Sequence, residues 1–210
     1  MRRLALALVV AFAGASAAAR ADVPADFATA WAAVDNYTDT ITTHETDGTN
    51  VQDRVYHYAY KKPHFAKIDI VAGAGRGGGA VWTGGDTVKG HQGGFTSFVK
   101  LNVAITDGRA TSLRGDTIDK GSFQNIADEL KTGKVEAATE GATIAGVAAD
   151  GVTIDLPAGT PGGVTKQVVY FARTTHLPLR RVTYAGDVVV KQEDFTDIKL
   201  NPGLTEADFS

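Results

Sequence analysis

The chain has 210 residues, with 21 basic and 24 acidic side chains, a formal charge of −3 and no cysteine. The absence of cysteine excludes a disulfide framework, a thiolate metal site and a lipid-modified cysteine. A mildly acidic balance without a basic cluster argues against nucleic acid as a partner.

In chain order, residues 1–21 read first, as a cleavable secretory signal. Arg2 and Arg3 form a basic start, Leu4 to Ala19 carries no charge, and Ala19-Arg20-Ala21 offers small residues to a signal peptidase. This predicts Asp22 as the mature N-terminus. A retained anchor fits less well, because the uncharged run falls short of the roughly 20 residues that a spanning helix needs. The two arginines lack a convincing twin-arginine context and read as an ordinary basic start. Removing residues 1–21 leaves 189 residues, with 18 basic against 24 acidic and a formal charge of −6. That length suits one hydrophobic core, and no later segment is apolar and long enough to span a bilayer. The expectation is one soluble domain, residues 22–210, outside the cytoplasm.

After Pro24, the spacing of Phe27, Trp31 and Val34 predicts a first helix. Strand patterns follow at about 37–46, 52–62, 65–72, 79–83, 87–92, 98–105 and 111–116. A second helix is expected from the N-cap Ser122, with Phe123, Ile126 and Leu130 on one face, as far as Gly133. Further strands are expected at about 135–139, 142–149, 151–156, 165–173, 178–184 and 187–199, with a loop at 157–163. Asp47-Gly48, Asp107-Gly108 and Asp150-Gly151 supply tight-turn chemistry, as do Gly84-Gly85 and Gly186-Asp187. Tyr56, Tyr58 and Tyr60 share one face, and so do Val152, Ile154 and Leu156; 168–171 and 188–190 are apolar on both faces and read as covered on both sides. A long antiparallel sheet curved into an open or closed barrel, with two helices packed on it, accounts for this pattern. A β-sandwich leaves the helices without a place.

The motifs that would signal chemistry are weak. Gly73-Ala74-Gly75-Arg76-Gly77-Gly78 has dinucleotide-loop spacing, but strand and turn residues follow it where a helix is needed. It reads as a hairpin tip. The histidines at 44, 57, 64, 91 and 176 lack metal-ligand spacing, and there is no G-x-S-x-G elbow. The carboxylate pairs Glu193/Asp194 and Glu206/Asp208 read as solvated. No catalytic residue, metal or cofactor is assigned.

The C-terminal part carries a resemblance. His176-Leu177-Pro178-Leu179-Arg180-Arg181, Tyr184-Ala185-Gly186-Asp187-Val188-Val189, Phe195-Thr196-Asp197-Ile198, Asn201-Pro202-Gly203-Leu204 and Asp208-Phe209 resemble the closing strands of the LolA-like outer-membrane lipoprotein-sorting proteins. Lys62-Pro63, Val81-Trp82 and the stretch from Arg114-Gly115 to Leu130 agree with that layout. The resemblance implies a mainly β fold with two or more helices: an unclosed antiparallel β-barrel with helices packed over an apolar cavity. It implies a non-catalytic periplasmic carrier for acyl chains of lipoproteins or other lipids, meeting membrane-associated donor or acceptor proteins. Lys62 matches the position of a basic residue that faces the cavity and holds the lid. Trp82, Phe95, Phe98, Leu101, Phe123, Ile126 and Leu130 are candidates for lining or lid, each with plain core packing as the alternative. A monomer is expected. The competing reading is an envelope sensor module that binds a membrane-anchored regulator. An enzyme acting on lipids lacks a nucleophile–base pair.

Overall fold

Both helices begin where their caps dictate. The Asp22 carboxylate accepts the Ala25 amide at 3.2 Å, and Pro24 occupies the first turn, where an N–H has no partner; Val23–Ala32 (α1) follows. The Ser122 hydroxyl accepts the Asn125 amide at 3.1 Å and starts Phe123–Thr132 (α2). Gly133 ends α2 at a close approach: a Cβ there would lie 2.5 Å from the Ile154 side chain. These positions belong to a computed structural model that describes residues 22–94, 100–136 and 139–210. The signal expected at 1–21, and Phe95 and Phe98, lie outside the described residues.

Among the described residues, twelve strands make one sheet. They are β1 (Asn36–Thr46), β2 (Val51–Lys61), β3 (Phe65–Gly73), β4 (Gly79–Trp82), β5 (Thr87–His91), β6 (Lys100–Ala104), β7 (Lys134–Val135), β8 (Thr139–Ile144), β9 (Val147–Asp155), β10 (Lys166–Ala172), β11 (Pro178–Ala185) and β12 (Val188–Leu200). The order is β6-β5-β4-β3-β2-β1-β12-β11-β10-β9-β7, with β8 also on β9, and the sheet is not closed. The strand pairings, such as Ile41 with Phe195 and Tyr58 with Ile68, are antiparallel. The unclosed antiparallel sheet with two helices expected from the sequence is thus the observed architecture.

Alternation sorts each strand into two faces. The inner face, covered by α1 and α2, carries Tyr37 and Ile41 of β1, Tyr58 and Tyr60 of β2, Val169 and Phe171 of β10, and Phe195 of β12, all buried. Phe27 and Trp31 of α1, and Phe123 and Ile126 of α2, close the core over them.

Three local expectations fail, each for a visible reason. Residues 111–116 form turns, because the amides of Leu113 and Arg114 and the Ser112 hydroxyl are donated to the Glu45 carboxylate at 2.8–3.2 Å rather than to a ladder. Asp150-Gly151 lies inside β9. Asp150 is clamped by Arg173 at 2.7 Å, and Gly151 makes room for the Tyr170 ring, which a Cβ would meet at 3.0 Å. The β8–β9 turn falls instead at Ala145-Gly146, where φ is 48° and 83°. Finally, Val188 and Val189 are 63% and 44% exposed, because they lie at a hairpin end that nothing covers.

Candidate functional site

The inner face of the sheet has an aromatic half and a charged half. In the aromatic half the helices rest on rings and a few polar contacts. The Phe123 ring stacks on Tyr37 with centroids 4.3 Å apart and planes 5° apart, while the Phe123 amide donates to the Tyr37 hydroxyl at 3.0 Å. The Tyr58 hydroxyl donates to the Ile118 carbonyl at 3.0 Å, and the Trp31 indole N–H donates to Gln124 at 3.1 Å. Lys62 Nζ donates to the Trp31 carbonyl at 2.7 Å and stands 4.1 Å from the centroid of the Trp31 ring. A cation at the last turn of α1 is well placed for the helix dipole and for the Trp31 carbonyl, which also accepts the Val34 amide at 3.1 Å. Burial lowers the Lys62 ammonium pKa, against an opposing pull from Asp35.

The candidates named from the sequence therefore fall in several places. Lys62, in the turn after β2, ties that turn to α1. Phe123 and Ile126 are fully buried between α2 and the sheet, and Leu130 packs partly buried against the same core. Trp82 joins that core from β4, with its N–H donated to the Gly85 carbonyl at 2.9 Å. Leu101 is half-buried on β6. The rings of the aromatic half are buried beneath the helices, and one cavity beside them, with Tyr56, Tyr58, Ile68 and Ile118 on one side and Glu45, Lys191 and Glu193 on the other, measures about 60 Å³. That is room for about two waters.

The charged half was not anticipated. Lys191 and Glu193 lie in phase with Phe195 along β12, so both charges point inward, 6% and 1% exposed. The expectation that Glu193 is solvated is wrong. Its neighbour Asp194 points outward and pairs with Arg180. On β11 the inward residue is Arg181, 2% exposed, whose Nε donates to Glu193 and whose Nη2 donates to the Lys120 carbonyl at 2.7 Å. Lys191 Nζ lies 3.0 Å from Glu193 and 2.8 Å from Asp116. Glu45 on β1 holds residues 112–114, which cross this half of the face. The available signal was period-two phasing against Phe195, which overrides the rule that charges lie outside.

Burial opposes the charge on Glu193, but Arg181 and Lys191 outweigh it and hold the carboxyl below its ordinary range. The same balance lowers Asp116 and raises Arg181 and Lys191. Asp39 is the opposite case. It is buried on the inner face, neither carboxylate oxygen has a hydrogen-bond partner, and burial with the nearby Glu193 charge pushes its pKa well up. Burial without a partner thus favours the neutral, protonated form of Asp39.

Beside α2, a second cavity of about 320 Å³ is lined by Asn125, Glu129, Gln167, Arg181 and Thr183. A third depression, about 680 Å³ and mostly apolar, lies against Ile144, Val147, Leu177, Leu179 and Ile198. Among the described residues no group of three or more His, Cys, Asp or Glu is arranged to hold a metal ion.

These features define a class before any relative is considered: a curved, unclosed sheet with helices on its inner face and, among the described residues, no assembled nucleophile–base pair at its buried charges. No family model matches the sequence, and no curated protein sequence matches it. Solved structures do. A conserved protein from Thermus thermophilus matches with TM-score 0.56 and 10% identity, over 90% of this chain and 90% of its own. A domain described as outer membrane lipoprotein-sorting, from Vibrio parahaemolyticus, matches with TM-score 0.53 and 12% identity, over 90% of this chain and 95% of its own. A DUF1329 family protein from Desulfovibrio piger matches with TM-score 0.52 and 13% identity, again over 90% and 95%. The chain has the LolA-like fold.

Proposed function

We propose that this protein is an exported, non-catalytic carrier that receives the acyl chains of a lipid or lipoprotein between α1, α2 and the inner face of the sheet. The observation that carries the reading is the attachment of the helices. They cover a wall of aromatic rings through apolar packing and a few polar ties, chiefly Lys62 to the Trp31 carbonyl and Phe123 to the Tyr37 hydroxyl. Replacing side-chain packing by an acyl chain exchanges one apolar contact for another. Each methylene removed from water contributes about 0.8 kcal/mol, so a chain of a dozen carbons can offset the loss of several such ties. The fully buried rings of Tyr37, Tyr58 and Phe123 beneath the helices support reading this as a closed form, into which cargo enters as the helices lift. Lys62, Phe123, Ile126 and Leu130 then act as cover, and Trp82 and Leu101 as the flank of the cavity.

The test is purification of the mature protein from its native envelope without detergent, followed by mass spectrometry of the bound material. A stoichiometric lipid or acylated protein is expected. A protein that is empty and also takes up no fluorescent fatty acid overturns the reading. A stable complex with a membrane-anchored protein, without lipid, would favour the sensor reading instead.

A further inference from the structure

The cavity of about 320 Å³ beside α2 has a chemistry that the carrier reading does not require. Its floor is the inner face of β10 and β11, where Gln167 and Thr183 are 7% and 5% exposed. Its wall is the polar edge of α2, through Asn125 and Glu129. Its volume is at the lower end of the roughly 300–1,000 Å³ that small-molecule pockets occupy.

Two acceptors around it lack a donor. Gln167 Oε1 and Glu129 Oε2 are buried and make no hydrogen bond, while Gln167 Nε2 reaches Glu129 Oε1 only at 3.5 Å. Arg181 Nη1 stands 4.0 Å from Glu129 Oε2, too far for a hydrogen bond. An interior donor and two acceptors thus sit around one space with their mutual bonds unmade, which costs free energy unless something completes them. A hydroxyl group does so on both sides, because it donates to Gln167 or Glu129 and accepts from Arg181. The charges select against ions. The lining holds three carboxylates, Asp116, Glu129 and Glu193, and two cations, Lys120 and Arg181. Lys191, just outside it, pairs with Asp116 and Glu193 and completes the balance, so neither a phosphate nor an ammonium gains a net partner there.

We propose that this cavity is a headgroup site for an uncharged, hydroxyl-bearing group of the sugar or glycerol class. The inference rests on the carrier reading. The headgroup lies between α2 and β10–β11, and the chain runs under the apolar face of α2, where Phe123, Ile126 and Ala127 are buried.

The experiment is calorimetric titration of the mature protein with n-octyl β-glucoside, n-octyl phosphocholine and n-octyl sulfate, each below its micelle concentration. It is repeated with Gln167→Leu, which removes an acceptor that makes no bond in the fold. The glucoside is expected to bind at least ten-fold more tightly than the other two, and Gln167→Leu to erase that preference while leaving the charged amphiphiles unchanged. Equal binding of the three, or a preference for a charged one, overturns the headgroup assignment and leaves the carrier reading standing. A preference that survives Gln167→Leu overturns this location. No binding of any of the three overturns the headgroup assignment, and the carrier reading falls with it only if the fluorescent fatty acid is not taken up either.

Discussion

Replacing Arg181 by Met probes the charged half directly. Arg181 is 2% exposed, donates to Glu193 and to the Lys120 carbonyl, and is isosteric enough with Met along its stem to leave little void. Its loss leaves Glu193 buried with Lys191 alone at 3.0 Å, and leaves the Lys120 carbonyl without its donor. Removing one member of a buried pair costs about 3–5 kcal/mol, mostly the penalty of the charge left behind. For a domain of this size, 1 kcal/mol moves Tm by about 2–4 °C, so the expected drop is about 6–20 °C. Urea unfolding followed by tryptophan fluorescence gives the free energy. The double variant Arg181→Met/Glu193→Met removes both charges and leaves Lys191 with Asp116 at 2.8 Å, so it should regain most of the loss. A single-variant cost under about 1 kcal/mol, or a double variant as unstable as the two singles added together, would refute the reasoning.

Four further outcomes follow from the same geometry. Asp39 has a raised pKa in the folded state, so the fold holds a proton that the unfolded chain has released above about pH 4. Stability from this group is therefore lost as pH rises toward the folded pKa. Asp39→Asn should gain on the parent by up to about 1.4 kcal/mol per pH unit in that window, and a difference that is flat from pH 5 to 8 contradicts this. Glu193 and Asp116 act in the opposite sense, since their folded pKa values are lowered. Their contribution is present above about pH 4 and lost as pH falls further. Lys191→Met removes a cation that holds both pKa values down, so its stability deficit against the parent should shrink as pH falls below about 4. A deficit that is equal or larger in urea unfolding at about pH 3 than at about pH 7 contradicts this. Lys62→Met removes the tie to the Trp31 carbonyl and the cation over its ring, at a cost of about 1–3 kcal/mol. Stopped-flow uptake of a fluorescent fatty acid should become faster, whereas unchanged uptake would separate Lys62 from the lid. Phe123→Ala should cost about 3–5 kcal/mol in urea unfolding, because the ring is fully buried and stacked on Tyr37.

Much of the sheet was legible because strand alternation and turn chemistry are local. The three tyrosines of β2 and the apolar residues at 152 and 154 face inward as their spacing requires, and Asp47-Gly48 and Gly186-Asp187 fall at hairpin ends. What failed was set by distant partners. Residues 111–116 have strand composition, yet the Glu45 carboxylate, about 70 positions earlier, takes their donors. Asp150-Gly151 has turn composition, yet Arg173 and Tyr170 hold it in a strand. The candidate site divides the same way. Lys62 and the apolar residues of α2 could be named from pattern and resemblance; the inward charges were marked only by their period-two phasing with Phe195, and a lone Glu193 or Arg181 looks solvated until its partner is known. The two occupy facing positions of β12 and β11, a register fixed only by the folded sheet.

The central question is whether an acyl chain lies under α1 and α2. In a Trp82→Phe variant, Trp31 is the remaining tryptophan, 5% exposed and in contact range of Tyr37, Tyr60 and Phe123. Titration with a fatty acid brominated along its chain should quench Trp31 fluorescence saturably, while the unbrominated acid of equal length should compete and leave it bright. Binding by calorimetry without quenching would place the chain elsewhere on the molecule, and the absence of both would contradict the carrier account.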